Sequence, residues 1–323
     1  MLVMDAMNKG RKLEIGTRGS PLALIQAELT RSALAGIVPP ELAVPPEATA
    51  ISVIKTTGDH VLDRPLAEIG GKGLFTKEIE EALLDRRIDL AVHSMKDMAT
   101  RLPEGLVIGA MLPREDPRDA LILGEALASS CRRIADLPKG ARIGTASLRR
   151  MAQLKARRPD LVVESLRGSV ATRLRHIDEG RFAGTLLALA GLKRLGMTER
   201  ATVVLGIDEM LPAVAQGAIG LQCRADDTWM MERLAALGCR ATAACVDAER
   251  AALAALDGSC RTPIAGLAGL DGTNLLLQVL IARPDGRVVH RETGQAHVAD
   301  GVALGQALGR KLRERGGPGF FRD

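Results

Sequence analysis

The sequence predicts an α/β fold: two α/β domains followed by a small α+β C-terminal domain with a three-stranded antiparallel sheet. Three observations predict it. Strand and helix patterns alternate over the first two-thirds of the chain, as in βαβ units around a mostly parallel sheet. Prolines and charges interrupt that alternation at LPREDPRDA (112–120). Beyond residue 240 the pattern changes to a helix, several apolar strands joined by Gly-containing turns, and a closing helix.

Each element has a local reason. KLEIGT (12–17) reads as a strand, and Ser20-Pro21 opens a helix, with serine at the cap and proline at the first helical position. VPPELAVPPE (38–47) predicts a surface loop, and TAISVIKT (49–56) a second strand ending in a polar TGD turn. GGKGLF (70–75) lacks the P-loop spacing and predicts a mobile glycine loop, with Phe75 against a ligand or anchoring the next helix. A helix from Thr76 to Arg86 and the strand IDLAV (88–92) follow. Past the boundary, ARIGTA (141–146), DLVVESLR (160–167) and GTLLALAG (184–191) read as strands. Helices begin near Ser147, Ser169 and Gly191. IDEMLPAVAQGAIGLQC (207–223) predicts a long connection and one more strand that rejoins the first domain. The expected domains are therefore 1–113 with 218–236, then 117–212, then 240–323. In the last of these, a helix (240–256) precedes the strands LAGL, LLLQVLIA and RVVHRET. Asp271-Gly272 and Pro284-Asp285-Gly286 separate the strands, and a helix from Val302 to Arg315 closes the chain.

Composition narrows the function classes. No apolar run approaches the ~18 residues that span a bilayer, and MLVMDAMNKGRK has no secretory core, so a cytoplasmic protein with no membrane partner is expected. The five cysteines have neither disulfide-framework nor zinc-knuckle spacing, and no metal site is expected. Cys223, Cys239 and Cys245 read as packing residues. Cys260 differs, because it sits in LDGSCRTPI (256–264), on a short connection beside Arg261. Residues 131–200 hold 16 Lys+Arg against 6 Asp+Glu, while the rest of the chain is net negative, so the basic excess belongs to one region. An anionic ligand fits there. Nucleic acid is disfavoured, since single-strand platforms need aromatics and the chain has no Tyr, one Trp and four Phe.

AVHSMKDMAT (91–100) runs an apolar strand directly into His93, Ser94, Lys96 and Asp97. Ligands of parallel α/β sheets bind beyond such strand ends. Asp97 there reads as a general acid/base or cation stabiliser, or as half of a solvated ion pair with Lys96. His93 reads as a hydrogen-bonded structural histidine rather than a metal ligand. TRGSPLA (17–23) puts Arg18 and Ser20 at a strand-to-helix turn, where a helix N-terminus attracts anions or serine simply caps. GTASLRR (144–150) repeats the arrangement with Ser147, Arg149 and Arg150, and SLRGSVATR (165–173) with Arg167, Ser169 and Arg173. Three such turns point to carboxylates or phosphates, which guanidinium binds bidentately.

These segments together resemble the porphobilinogen deaminase (hydroxymethylbilane synthase) family. The matching pieces are TRGSPLAL, KTTGD, GGKGLFTKEIE, DLAVHSMKD, GTASLRR, LRGSVATRL, LALAGLKRLG, LPAVAQGAIGLQCR and DGSCRTPI, in the family's order from about Leu13 to Ile264. The resemblance implies two periplasmic-binding-protein-like α/β domains and a transferase of tetrapyrrole and haem biosynthesis. It implies that Cys260 carries a dipyrromethane cofactor through a thioether, with Arg261 favouring the thiolate. Porphobilinogen loses ammonia to give a cationic azafulvene, which the terminal pyrrole attacks before losing its α-proton. Four rounds follow, and water releases hydroxymethylbilane. Asp97 matches the catalytic aspartate. Arg18, Arg149, Arg150, Arg167, Arg173 and Arg194 match arginines that bind the acetate and propionate carboxylates, supported by Ser20, Ser94, Lys96, Thr145 and Ser147. The resemblance also favours a monomer.

Ala146 stands where the family commonly has serine, Met98-Ala99 where Val-Pro is frequent, and Ala215 where glycine is usual. The first of these changes could remove one hydrogen bond to cofactor or substrate. Two other readings compete: a non-catalytic two-lobed anion binder of the periplasmic type, and a basic nucleic-acid module. The first leaves the third domain and its loop cysteine unexplained, and the second leaves the lack of aromatics unexplained.

Overall fold

The computed structural model describes residues 12–60, 74–258 and 262–321. The first strands and helices are β1 (Leu13–Thr17), α1 (Pro21–Ala35), β2 (Thr49–Val53), α2 (Lys77–Leu84), β3 (Leu90–Ser94) and β4 (Leu106–Met111). Next come β5 (Asp119–Leu123), β6 (Arg142–Gly144), α3 (Leu148–Arg157), β7 (Val162–Glu164), α4 (Val170–Asp178), β8 (Gly184–Ala188), α5 (Leu189–Arg194) and β9 (Val203–Val204). The remainder is β10 (Ile219–Arg224), α6 (Thr228–Leu237), α7 (Arg240–Ala255), β11 (Ile264–Asp271), β12 (Asn274–Ala282), β13 (Val289–His297) and α8 (Gly301–Gly316). The chain divides into two compact units. Among the described residues the first holds 12–60, 74–113 and 219–239, and the second holds 114–218, 240–258 and 262–321.

The first unit is built on a five-stranded sheet in the order β2-β1-β3-β10-β4. Its β1 pairs in parallel with β2 and β3, whereas β10 runs antiparallel to both β3 and β4. Four strands thus run one way, as the alternating pattern predicts, and β10 alone runs against them, which makes the sheet mixed. Strand period explains the two cores: Leu13, Ile15, Leu90 and Val92 point to one face with Leu34 and Leu221, while Ala91 points to the other with Ile79 and Leu83. The proline-rich segment forms short 3-10 turns at Pro40–Leu42 and Pro46–Ala48 rather than a plain surface loop. Between them Val44 is buried in the first core.

In the second unit the sheet order is β7-β6-β8-β5-β9, again with four strands running one way and one, β5, running against them. Leu121 and Leu123 of β5 enter one core, and Ala120 and Ile122 the opposite one. In each sheet the fourth strand, β5 or β10, is the one the chain enters after leaving the other unit. That re-entry reverses strand direction without a crossover helix, hence the mixed sheets. At the return connection Ala215 (φ 59°) and Gly217 (φ 90°) occupy left-handed conformations. A side chain on Gly217 would strike the Glu115 carbonyl oxygen, so glycine is required there.

The second unit also contains the antiparallel sheet β11-β12-β13, with α7 and α8 packed over its apolar face. Gly305 of α8 lies so close to Ala248 of α7 that any side chain would meet the Ala248 carbonyl. Ala265, Leu280 and Ala282 of this sheet share a cluster with Ala152 and Leu211, which explains why the two sheets form one unit. The expected elements are present, with Leu189 rather than Gly191 opening α5 and α2 spanning Lys77–Leu84. β4, β5, β9 and α6 were not expected from sequence. No described helix is long and apolar enough to cross a membrane.

Candidate functional site

In the first unit, β3 delivers the candidate acid. Gly220 of β10 lies opposite His93, and a side chain there would collide with Met95, which is buried at 1% exposure. This close approach anchors the 3-10 turn Met95–Asp97 that follows the strand. Asp97 and Lys96 are half-buried, and the Asp97 carboxylate is in no ion pair among the described residues, so the two do not pair with each other. Ser94 Oγ lies 3.0 Å from the Gln26 amide nitrogen and 3.1 Å from its oxygen.

His93 is a buried structural histidine. Its Nε2 lies 2.9 Å from Gln222 Oε1, and Gln222 Nε2 donates to Glu80 Oε1 at 3.0 Å. Burial pushes the imidazole down to about 4; the Gln222 hydrogen bond opposes this and the Arg18 charge adds to it. The Arg18 guanidinium stacks over the Phe75 ring, 4.2 Å from its centroid. Ser20 Oγ accepts from the Ala23 N–H at 3.2 Å and so caps α1. Residues 70–73 of the expected glycine loop lie outside the described residues.

The second unit gathers the arginines. Ser147 caps α3, accepting from the Arg150 N–H, and Thr145 Oγ1 accepts from the Ser147 N–H at 3.2 Å. Arg149 and Arg150 are each 5% exposed and converge on Asp119, the first residue of β5, which is fully buried. Arg149 Nη1 donates to Asp119 Oδ2 at 2.6 Å and to the Leu211 carbonyl at 2.8 Å. Arg150 Nη2 donates to Asp119 Oδ1 at 2.8 Å and its Nη1 to the Leu186 carbonyl at 2.8 Å. Burial alone would raise the Asp119 carboxyl, but the two guanidinium charges and their hydrogen bonds hold it well below the usual carboxylate range. Burial lowers Arg149, an effect the Asp119 charge opposes.

Arg173 Nε donates to the Gly168 carbonyl at 2.9 Å. Burial, with the nearby charges of Arg150 and Arg167, lowers its guanidinium to about 10. Two guanidinium groups thus share one buried carboxylate, and the charge of Arg173 lies near Arg150 and Arg167. Arg194 is placed differently: its Nη2 donates to the Gly217 carbonyl at 2.6 Å, on the return connection, and burial lowers it while Glu115 offsets the shift. Cys260 lies outside the described residues. On either side of it, the Gly258 N–H donates to Leu253 O and the Ala282 N–H to Pro263 O, both at 3.0 Å.

Sequence reasoning missed Asp119, Gln216, Gln222, Glu80 and Gln26. Asp119 had one readable signal: it opens the continuous apolar run DALIL, where a carboxylate must be paired if the strand is buried.

The model of the porphobilinogen deaminase dipyromethane cofactor binding domain matches residues 13–232, and that of the C-terminal domain matches residues 243–314. The chain belongs to the porphobilinogen deaminase family. Porphobilinogen deaminase of Paracoccus denitrificans is 55% identical over 309 residues, covering 96% of each chain. The chloroplastic porphobilinogen deaminase of Pisum sativum is 54% identical over 97% of this chain and 84% of its own. Among solved structures, an ancestral cationic amino acid solute binding protein aligns with 15% identity and a TM-score of 0.43 over 73% of this chain and 92% of its own.

Proposed function

We propose that this chain condenses four porphobilinogen molecules head to tail, releasing ammonia at each step, and then frees hydroxymethylbilane. The family membership supports that activity and the dipyrromethane cofactor it uses. The observation in the structure that carries the reading is the charge imbalance of the second unit. Arg149 and Arg150 share the single carboxylate of Asp119, the charge of Arg173 lies near Arg150, and the Nε atoms of Arg149 and Arg150 are buried without a partner. Buried guanidinium edges facing a deficit of negative charge suit a ligand that brings several carboxylates. The donor set therefore fits a dipyrromethane, whose two pyrroles each carry an acetate and a propionate.

In this reading Cys260 holds the cofactor through its sulfur. When bound, the cofactor supplies a pyrrole α-carbon that accepts each incoming unit. Arg149, Arg150, Arg167 and Arg173 neutralise carboxylates, with Ser94, Lys96, Thr145 and Ser147 as supporting donors. Arg18, fixed against Phe75, holds a substrate carboxylate with Ser20 beside it. The Asp97 carboxylate opposes positive charge on a pyrrole nitrogen and takes the proton that the acceptor carbon loses. Its lack of a competing cation among the described residues leaves it available for that work. Arg194 keeps its family role as a carboxylate ligand in this reading, through the donors it does not give to Gly217. The reading extends to a cytoplasmic monomer in three domains, 1–113 with 218–236, 117–212 and 240–323. A purely anion-binding protein would have no use for the C-terminal domain matched over 243–314.

The test is the intact mass of the denatured protein, with peptide mapping around Cys260. An added mass of two pyrrole units on that peptide is expected. A thiol still unmodified after incubation with porphobilinogen or hydroxymethylbilane would remove the cofactor assignment.

A further inference from the structure

The donors on Arg149 and Arg150 divide into two sets. On each guanidinium, one Nη group reaches Asp119 and an Nη group also reaches a backbone carbonyl, Leu211 for Arg149 and Leu186 for Arg150. The Nε atom of each is buried with no partner. A guanidinium is a rigid planar fork, so fixing its Nη end fixes the direction of its Nε edge. Two such planes are pinned here from one carboxylate.

Asp119 is itself held from a third side. Gln216 Nε2 donates to Asp119 Oδ1 at 2.9 Å and to the Pro117 carbonyl at 2.7 Å. Asp119 Oδ1 therefore accepts from Arg150 and Gln216, and Oδ2 accepts from Arg149. All of these side chains belong to the second unit, and each is 5% exposed or less. Rotation of the carboxylate would break contacts on both sides at once.

We infer that Asp119, held by Gln216, is the positioning residue that aims the free edges of Arg149 and Arg150 at the carboxylates of the dipyrromethane. Asp119 does not touch the ligand in this scheme. It neutralises one of two buried positive charges and leaves the other for the anion, so the pair stays folded when empty and attractive when offered a polycarboxylate. A residue that only stabilised the fold would tolerate any acid that fills the same space. A positioning residue would not: lengthening it by one methylene moves both guanidinium groups together. Preorganisation of this kind acts on affinity through the geometry of charge-assisted hydrogen bonds.

The inference rests on the cofactor reading above, and its test keeps the two apart. Asp119→Glu, Asp119→Asn and Gln216→Leu are made in the parent chain and in a Cys260→Ser background that cannot form the thioether. The fraction of parent-background molecules carrying the two-pyrrole mass is measured on denatured protein. Binding of benzenehexacarboxylate to the Cys260→Ser proteins is measured by calorimetry, with far-ultraviolet circular dichroism to establish folding. The expected result is at least tenfold weaker polycarboxylate binding for folded Asp119→Glu, with a matching loss of cofactor occupancy. Folded Asp119→Glu that binds and loads like the parent would overturn the inference. Should neither Asp119 variant fold, Gln216→Leu decides, because it removes no charge and frees Asp119 on one side: weaker binding supports the inference and unchanged binding overturns it. Absence of the two-pyrrole mass from the parent itself is failure of the cofactor reading, whatever the variants do.

Discussion

Two aspartates, one in each unit, show opposite solutions to placing a carboxylate at the end of an interior strand. Asp97 follows β3 on a short turn, half-buried and without an ion-pair partner among the described residues. Asp119 opens β5, fully buried, with two guanidinium groups and an amide on its oxygens. The first is free to respond to a charge that arrives. The second is already saturated, and its value lies in holding other groups still. An acid that must exchange protons with a ligand cannot also be saturated, whereas an acid that organises arginines must be.

The contrast can be broken first at Asp97. Asp97→Ala is expected to lower turnover by about 10²–10⁴-fold while leaving the urea midpoint close to that of the parent. A variant with near-normal turnover would remove Asp97 from the chemistry. Asp119→Asn should do the reverse to stability, costing about 3–5 kcal/mol because it leaves buried guanidinium charge uncompensated; equilibrium urea unfolding reads this directly.

Acid separates the units as well. The folded value of His93, about 4, lies below its ordinary 6.5, so the unfolded chain takes up the proton first. Its contribution, on the order of 3 kcal/mol, is complete above pH 6.5 and is lost as pH falls towards 4. Asp119 is also held below its ordinary value of 3.8, so its contribution is lost only below about that pH. His93→Gln should therefore flatten the stability profile between pH 6.5 and 4 and leave the steeper loss below it. The smallest effect belongs to an ordinary cap. Ser169 Oγ accepts from the Thr172 N–H at 3.1 Å, and Ser169→Ala should cost about 1 kcal/mol, again read by urea unfolding.

Much of the first unit was legible because its signals are local. The run KLEIGT marked β1, Ser20-Pro21 marked α1, and the apolar strand running into His93-Ser94-Lys96-Asp97 marked β3 and the candidate acid. β5 was hidden for a physical reason. Buried on both faces, DALIL shows no alternation, and it directly follows a stretch rich in proline and charge that reads as linker. Asp119 was hidden with it, since its partners stand far away in sequence on α3 and on the return connection. Arginines could be counted from the sequence, but not how many of their donors the fold itself uses. Ala215 shows the same limit: it replaces a usual glycine, and only the structure shows the left-handed backbone (φ 59°) that glycine would suit.

The doubled crossing of the chain also sets an order of events during synthesis. The second sheet is contiguous, and its last strand is made when Val204 emerges from the ribosome. The first sheet, although it begins at Leu13, waits for β10 and cannot close before Arg224. Until then β3, with the Asp97 turn at its end, has an unpaired edge of the kind that recruits other nascent chains. The portion encoded earlier is thus the later to close, and a transcript truncated before Ile219 would yield a polypeptide whose acid-bearing strand stays uncovered.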